Sequence, residues 1–220
     1  IAKARREPKV PTLEQIEHVL AVMPAESIID HRNRALVAFT ILTGARDSAI
    51  ASMKLKHIDL ANNLVNQDAR DVKTKFSKTF TTTFFPVGEE IREIFARWVT
   101  YLRQDQLWGN DDPVFPATAM KLNQEKQFEV EGIDRKHWSS AAPIRRIFQE
   151  AFKSAELPYF NPHTFRNTLV KLGQERCKTP EEFKAWSQNL GHEGVLTTFT
   201  SYGTVSTSRQ AEIILGLANK

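Results

Sequence analysis

The sequence predicts a mainly α-helical domain carrying one small antiparallel β-hairpin, and three observations predict it. Most of the chain divides into segments with apolar residues at helical spacing, opened by capping residues and closed by Gly or Pro. One stretch, residues 64–86, is instead rich in threonine and aromatics, the composition of strands. The 220 residues are 41% hydrophobic and 25% charged, enough to bury a core and too apolar for a disordered chain.

The elements follow in order. Thr12 and Gln15 form a capping box, Ile16, Val19, Leu20 and Met23 share one face, and Pro24 ends the helix. From about Asn33 to Thr43 the run of Ala35, Leu36, Val37, Ala38, Phe39, Ile41 and Leu42 is apolar on most sides, so this helix belongs to the core. Gly44 suits a left-handed C-cap. A short helix near Ser48 to Leu55 leads into HIDL. The segments VNQDARDV and TFTTTFFP then pair as a hairpin, turning around KTKFSK with Lys73, Lys75 and Lys78 at its tip. Glu89 opens the cleanest amphipathic helix, with Ile91, Ile94, Phe95, Trp98, Val99 and Leu102 inward. Residues 103–140 read as irregular, with WGNDDP a turn whose Asp111 and Asp112 are solvated acids.

Three helices come next. One begins near Pro143, with Ile144, Ile147, Phe148, Ala151 and Phe152 inward. Another begins at NPHTFR, where Asn161 caps and Pro162 takes the first helical position. A third begins at TPEE with Thr179 as cap and ends at Leu190; its Trp186 joins Phe183 and Leu190 in the core. A last short helix starts near Ser206, with Ile213, Ile214 and Leu217 apolar.

The net charge of +4 is compatible with a polyanionic partner without demanding one. The single cysteine, Cys177, excludes an intrachain disulfide and has no metal-ligand spacing around it, as expected of an inert thiol in a reducing cytoplasm. No apolar run approaches the roughly 18 residues of a membrane helix. The chain opens on Ile1 with a basic stretch, Lys3, Arg5, Arg6 and Lys9. Residues 1–11 are accordingly expected to be a linker remnant and 12–220 a single domain.

Four features carry chemistry. Arg46 follows a C-cap glycine in TGARDSAI. Lysines crown the hairpin. His163 and Arg166 in HTFR stand three apart and share a helix face. His192 follows a helix end in LGHEGVLTTFTSYG, with Tyr202 ten residues on. Taken singly, each has an ordinary structural explanation. In this order they closely resemble the tyrosine recombinase (phage integrase) family, whose catalytic domain carries an arginine in TGxR, a hairpin lysine, an HxxR pair, an LGH motif and a nucleophilic tyrosine. The resemblance runs from about Thr12 to Gly216 and extends to HIDL and FFPVG. Three departures stand out. Ala49 occupies the position of an acid usual three residues after the first arginine, leaving Asp47 or a backbone carbonyl to support Arg46. The step from His192 to Tyr202 is one residue longer than usual. The hairpin is long and leaves three candidate lysines.

The resemblance implies phosphoryl transfer on double-stranded DNA without metal, ATP or other cofactor. Arg46 and Arg166 would hold the phosphate oxygens, His163 and His192 would donate hydrogen bonds or manage a proton, and Tyr202 would attack. Lys75, ahead of Lys78 and then Lys73, would protonate the leaving 5′-oxygen. It further implies an N-terminal core-binding domain absent from this stretch, a homodimer on each site, a homotetramer in the synapse, and room for an accessory DNA-bending protein. The function expected is that of a mobile-element integrase in a bacterial or phage-infected cytoplasm. The alternatives are a type IB topoisomerase-like relaxation activity and a non-catalytic DNA-binding regulator on the same fold.

Overall fold

The computed structural model describes residues 9–192. Tyr202, the expected final helix with Ile213, Ile214 and Leu217, and Lys3, Arg5 and Arg6 of the basic start lie outside the described residues. Seven helices are described: α1 (Leu13–Val22), α2 (Ile28–Thr43), α3 (Asp47–Ser52), α4 (Glu89–Gln104), α5 (Ala142–Ser154), α6 (Pro162–Arg176) and α7 (Pro180–Asn189). Strands β1 (Ile58–Asp59), β2 (Leu64–Gln67) and β3 (Phe80–Thr83) form one antiparallel sheet in that order, and β4 (Pro116–Leu122) pairs with β5 (Phe128–His137) in a second.

Helix α2 is the hub. Every residue from Ala35 to Thr43 is buried, as its all-round apolar sequence predicts. Phe39 of α2 meets Phe95 of α4 with ring centroids 4.8 Å apart and Phe115 at 5.4 Å, an aromatic triad at the centre of the core. On the other side, Phe148 and Phe152 of α5 meet Phe165 of α6 at 5.0 and 6.2 Å. The stripe predicted on α4 is buried at Ile91, Phe95, Trp98, Val99 and Leu102. The capping boxes at Thr12/Gln15 and Thr179/Glu182 are both formed. Trp186 is only partly buried, but its indole N–H donates to the Leu169 carbonyl at 2.8 Å and its ring covers Gly173.

Several expectations need correction. Helix α2 starts five residues before Asn33, because Ser27 and Asp30 make a reciprocal capping box. Asn161 precedes α6 but makes no side-chain cap; its carbonyl accepts from the Thr164 amide at 3.0 Å and hydroxyl at 2.7 Å. In the first hairpin β2 pairs with β3 only from Leu64↔Thr83 to Gln67↔Phe80, and residues 68–79 form a long connection with a tight turn at Lys75–Ser77. The strand stops at Gln67 because Asp68 starts a turn, its carbonyl accepting from the Val72 amide at 2.7 Å.

The largest difference lies within 103–140, which holds the second hairpin rather than irregular chain. Its cross-strand pairs Met120↔Val130 and Leu122↔Phe128 put four apolar side chains on one face, all exposed. A strand facing no core needs no hidden/open alternation, so the period that betrays strands is weak. The hairpin's base is fixed by the buried Arg32 of α2, whose guanidinium donates to Pro116 O and Thr118 Oγ1, both at 3.0 Å, and lies over the Trp138 ring. Asp112 pairs with Arg135 and Asp111 with Lys54 and Lys56, so these acids are bridged rather than merely solvated.

Gly44 closes α2 at φ +60°, ψ +21°, and an added Cβ would come within 2.8 Å of Leu190 Cδ2 and 3.1 Å of Leu169 Cδ1. Left-handed strain and overpacking therefore act together. Gly44→Ala should lower unfolding free energy by about 2–4 kcal/mol in urea titration. Gly109→Ala, with nothing closer than an ordinary 3.8 Å contact, should stay within about 0.5 kcal/mol.

Candidate active site

The end of α2 delivers the first candidate side chain. After the left-handed turn at Gly44, Arg46 stands immediately before α3. Its guanidinium is half-buried, and burial lowers its pKa from the ordinary arginine value. Among the described residues it makes no hydrogen bond or ion pair. Asp47 turns to Arg145, which holds it at 2.9 Å through Nε and 2.8 Å through Nη2, and among the described residues no backbone carbonyl accepts from Arg46. Ala49 is buried in α3, so no acid comes from that position.

Arg166 is placed differently. Its side chain is buried, Nη1 donates to Gly44 O at 2.5 Å, and Nη2 donates to Leu190 O at 2.6 Å. Gly44 caps the C-terminus of α2 and Leu190 that of α7, so the guanidinium sits between two negative helix ends. Burial pushes its pKa down to about 9, with the charge of Arg46 contributing, and it stays cationic at neutral pH. Nη2 also lies 3.0 Å from His192 Nε2. A guanidinium can only donate, so His192 Nε2 accepts and the ring's proton resides on Nδ1.

His192 reaches this position because α7 ends against the sheet. The Asn189 side chain accepts from the Thr83 amide at 2.7 Å and donates to the Thr83 carbonyl at 2.8 Å, while Thr82 Oγ1 donates to Asn189 O. Desolvation first, then the charges of Arg166, Arg46 and His163, lower the His192 pKa to about 4. His163, at the exposed start of α6, is lowered by desolvation and then by Arg166 and Arg46, with Asp47 opposing. Arg46, Asp47, Arg145, Asn161, Pro162 and His163 line one cleft of about 460 Å³. A more apolar cleft between α2 and α4, walled by Ile28, Ile94, Trp98 and Tyr101, shares none of these residues.

The three hairpin lysines separate. The charge of Lys75 acts on His163, which places it toward the cluster. The charge of Lys73 acts instead on His137, and its backbone is tied to α3. Lys78 stands just before β3 and is less exposed than the other two. Lys75 Nζ lies 4.7 Å from the ring centroid of Phe76, an exposed aromatic at φ +59°.

The structure thus brings Arg46, His163, Arg166 and His192 together, with Lys75 within electrostatic reach. Tyr159, a weaker nucleophile candidate, lies near Asp47 and Arg145; burial raises its pKa and disfavours its phenolate. Tyr101 sits on α4 and its hydroxyl accepts from Gln106. Sequence reasoning passed over Arg145, Ser48, Ser52 and Asp71. Only the serines had left a trace, an i, i+4 pair on one face of a short helix. Chemically, converging cations whose one neighbouring acid among the described residues is bound by Arg145 suit an anion presenting several oxygens. Among the described residues no group of three or more His, Cys, Asp or Glu is placed to hold a metal ion, and no helix is long and apolar enough to cross a membrane.

Comparison with known proteins bears on the family and the fold. Residues 9–208 match the family model described as the phage integrase family. The tyrosine recombinase XerC of Lactobacillus leichmannii is 25% identical over 169 residues, 76% of this chain and 48% of that protein. XerC of Pseudomonas fluorescens is 24% identical over 195 residues, 88% of this chain and 55% of that protein. The chain thus spans about half the length of the curated relatives it matches. Among solved structures, XerA recombinase superposes with a TM-score of 0.64 at 18% identity, covering 98% of this chain and 66% of that one. The Tn1549 transposon integrase in complex with circular intermediate DNA gives 0.61 at 17%, covering 98% and 69%.

The cationic cluster has a pH signature. A histidine in the unfolded chain takes a proton near pH 6.5, whereas His192 resists until about 4. Between those values the unfolded state binds more protons, so stability is full above about pH 6.5 and falls as pH drops toward 4. The lowered pKa values of His57, His137 and His163 act in the same direction. Histidine NMR titration should place the His192 midpoint near 4, and Arg46→Gln should raise it; a midpoint near 6.5 in the unsubstituted protein would refute this placement.

Proposed function

The chain belongs to the phage integrase family, and from that membership we propose that it is the catalytic portion of a tyrosine-type site-specific DNA recombinase serving a mobile element. The observation that carries this reading is the cluster of Arg46, Arg166, His163 and His192, beside which, among the described residues, the carboxylate of Asp47 is held by Arg145. A phosphodiester supplies the missing negative charge, and its five-coordinate transition state supplies more. Structures of related fold with DNA, such as the Tn1549 integrase complex, support double-stranded DNA as the partner.

In this mechanism the Tyr202 oxygen attacks phosphorus and the bond to the 5′-oxygen breaks, leaving a 3′-phosphotyrosyl ester. The phenol proton passes to His163, kept neutral by its lowered pKa. Arg46, without a hydrogen-bond partner among the described residues, takes the non-bridging oxygens. Arg166 presents what its two carbonyl bonds leave and holds His192 by its Nε2. Lys75 gives its proton to the leaving oxygen. The ester conserves the energy of the broken bond, so rejoining needs no ATP, and the cations stand where other nucleases use a metal ion. Two protomers on inverted half-sites and four in a synapse, with an N-terminal domain clamping the opposite DNA face, complete the proposed assembly.

The test is covalent trapping in EDTA with nicked duplexes from the DNA flanking the gene. We expect a protein–DNA adduct on a denaturing gel that is lost in Tyr202→Phe and kept in Tyr159→Phe. An adduct surviving Tyr202→Phe would overturn the assignment, and plasmid relaxation without partner exchange would favour a topoisomerase. The two arginines should also part company. Arg46→Ala should slow cleavage by about 10²–10³-fold, as for loss of one transition-state donor, with little change in melting temperature. Arg166→Ala should cost activity and also about 3–5 kcal/mol of stability, since it orphans two buried carbonyls.

A further inference from the structure

We propose that Ser48 and Ser52 are positioning residues that clip the lysine-bearing loop to α3, so that Arg46 and Lys75 are delivered to the site as one unit. This deepens the recombinase reading and rests on Lys75 being its general acid. Ser48 and Ser52 stand one turn apart on α3. Ser48 Oγ donates to the Lys73 carbonyl at 3.2 Å, and Ser52 Oγ accepts from the Lys73 amide at 2.9 Å. Both backbone groups of Lys73 are therefore satisfied by one helix face, as a neighbouring strand would satisfy them. Ser52 Oγ donates in turn to Ser48 O at 3.0 Å, which orients its lone pair toward the loop.

The adjoining residues strengthen the clip. Asp71 is held by Lys54 and Lys56, each at 2.8 Å, and Val72 is buried in the core. Residues 71–73 are thus anchored in succession, and Lys75 follows only two residues later. Beyond it, Phe76 and Ser77 adopt positive φ, a tight reversal that leaves the loop little slack on its far side. The clip helix begins at the residue after Arg46. A shift of α3 would therefore move the arginine and the lysine together.

Two arms test this. The first needs no DNA: amide hydrogen exchange across residues 68–79 in Ser48→Ala/Ser52→Ala. Alanine suits a helix, so α3 and the melting temperature should persist while exchange in the loop rises about tenfold or more, as expected for losing hydrogen bonds of ordinary strength. Ser52→Thr, which keeps the hydroxyl, should restore protection. Unchanged loop exchange overturns the clip.

The second arm uses the scissile phosphate mapped by trapping, prepared with sulfur in place of its 5′-bridging oxygen. With oxygen, the P–O bond breaks and the leaving alkoxide needs the lysine's proton. With sulfur, the P–S bond breaks and a thiolate, whose acid has a pKa of about 8.5, leaves unprotonated. The double-alanine variant should cleave the oxygen substrate about 10²-fold more slowly and the sulfur substrate at the unsubstituted rate, in parallel with Lys75→Met. Equal slowing on both substrates would mean the serines do not act through the lysine, and the proposal falls. If sulfur rescues Lys78→Met and not Lys75→Met, the delivered group is wrong and the proposal falls as well. An unsubstituted protein inert on both substrates would overturn the recombinase reading instead, while the exchange arm still judges the clip.

Discussion

The site depends on one buried guanidinium held between two helix ends. Burying a cation is costly unless its donors find partners, and Arg166 limits that cost by turning its fork to the terminal carbonyls of α2 and α7. Those carbonyls have no partner within their own helices, so each side resolves the other's deficit. The consequences spread along the chain. Fixing Gly44 fixes Arg46 two residues on. Fixing Leu190 fixes His192, again two residues on. Arg166 itself rides on α6, one turn beyond His163. One side chain therefore sets the mutual placement of three others drawn from distant segments.

This arrangement has an electrostatic cost. Burial first, then the neighbouring positive charges, lowers the pKa of Arg166, His163 and His192, burial alone lowers that of Arg46, and Asp47 opposes the shift at His163. The histidines respond by staying neutral. The arginines cannot, and remain as fixed charge awaiting an anion. A site of this kind is preorganised: its dipoles and charges are set before the anion arrives, and little reorganisation remains for the reaction itself. The core supplies the rigidity this needs, with the Phe39, Phe95 and Phe115 cluster on one side of α2 and Phe148, Phe152 and Phe165 on the other.

What the sequence disclosed and what it hid divide along physical lines. Elements with one buried face and a cap were readable, such as α1 from Thr12 and Gln15, α4 from its stripe, and the end of α2 from Gly44. Arg46, His163, Arg166 and His192 were readable because their motifs occur in a recognisable order. The second hairpin was not, because its apolar side chains, Met120, Leu122, Phe128 and Val130, face solvent and follow no burial period. Nor was the role of Arg145, which reaches Asp47 across 98 residues of sequence. Such a pairing depends on how α5 packs beside α3, and nothing local to either residue encodes it.

That pairing bears on the chain's clearest departure from its family pattern. Where an acid is usual three residues after the first arginine, Ala49 is buried in α3 and contributes only packing. The nearest carboxylate, Asp47, could have replaced it by folding back on Arg46. Arg145 prevents this by holding Asp47 Oδ2 through both Nε and Nη2. Arg46 is then oriented by the turn after Gly44 and by α3 rather than by an ion pair. An ion pair would orient the guanidinium but also weaken its pull on a phosphate, because part of its charge would already be answered. With Asp47 engaged elsewhere, the orienting task passes to the backbone, and among the described residues no carboxylate answers the charge of Arg46 directly.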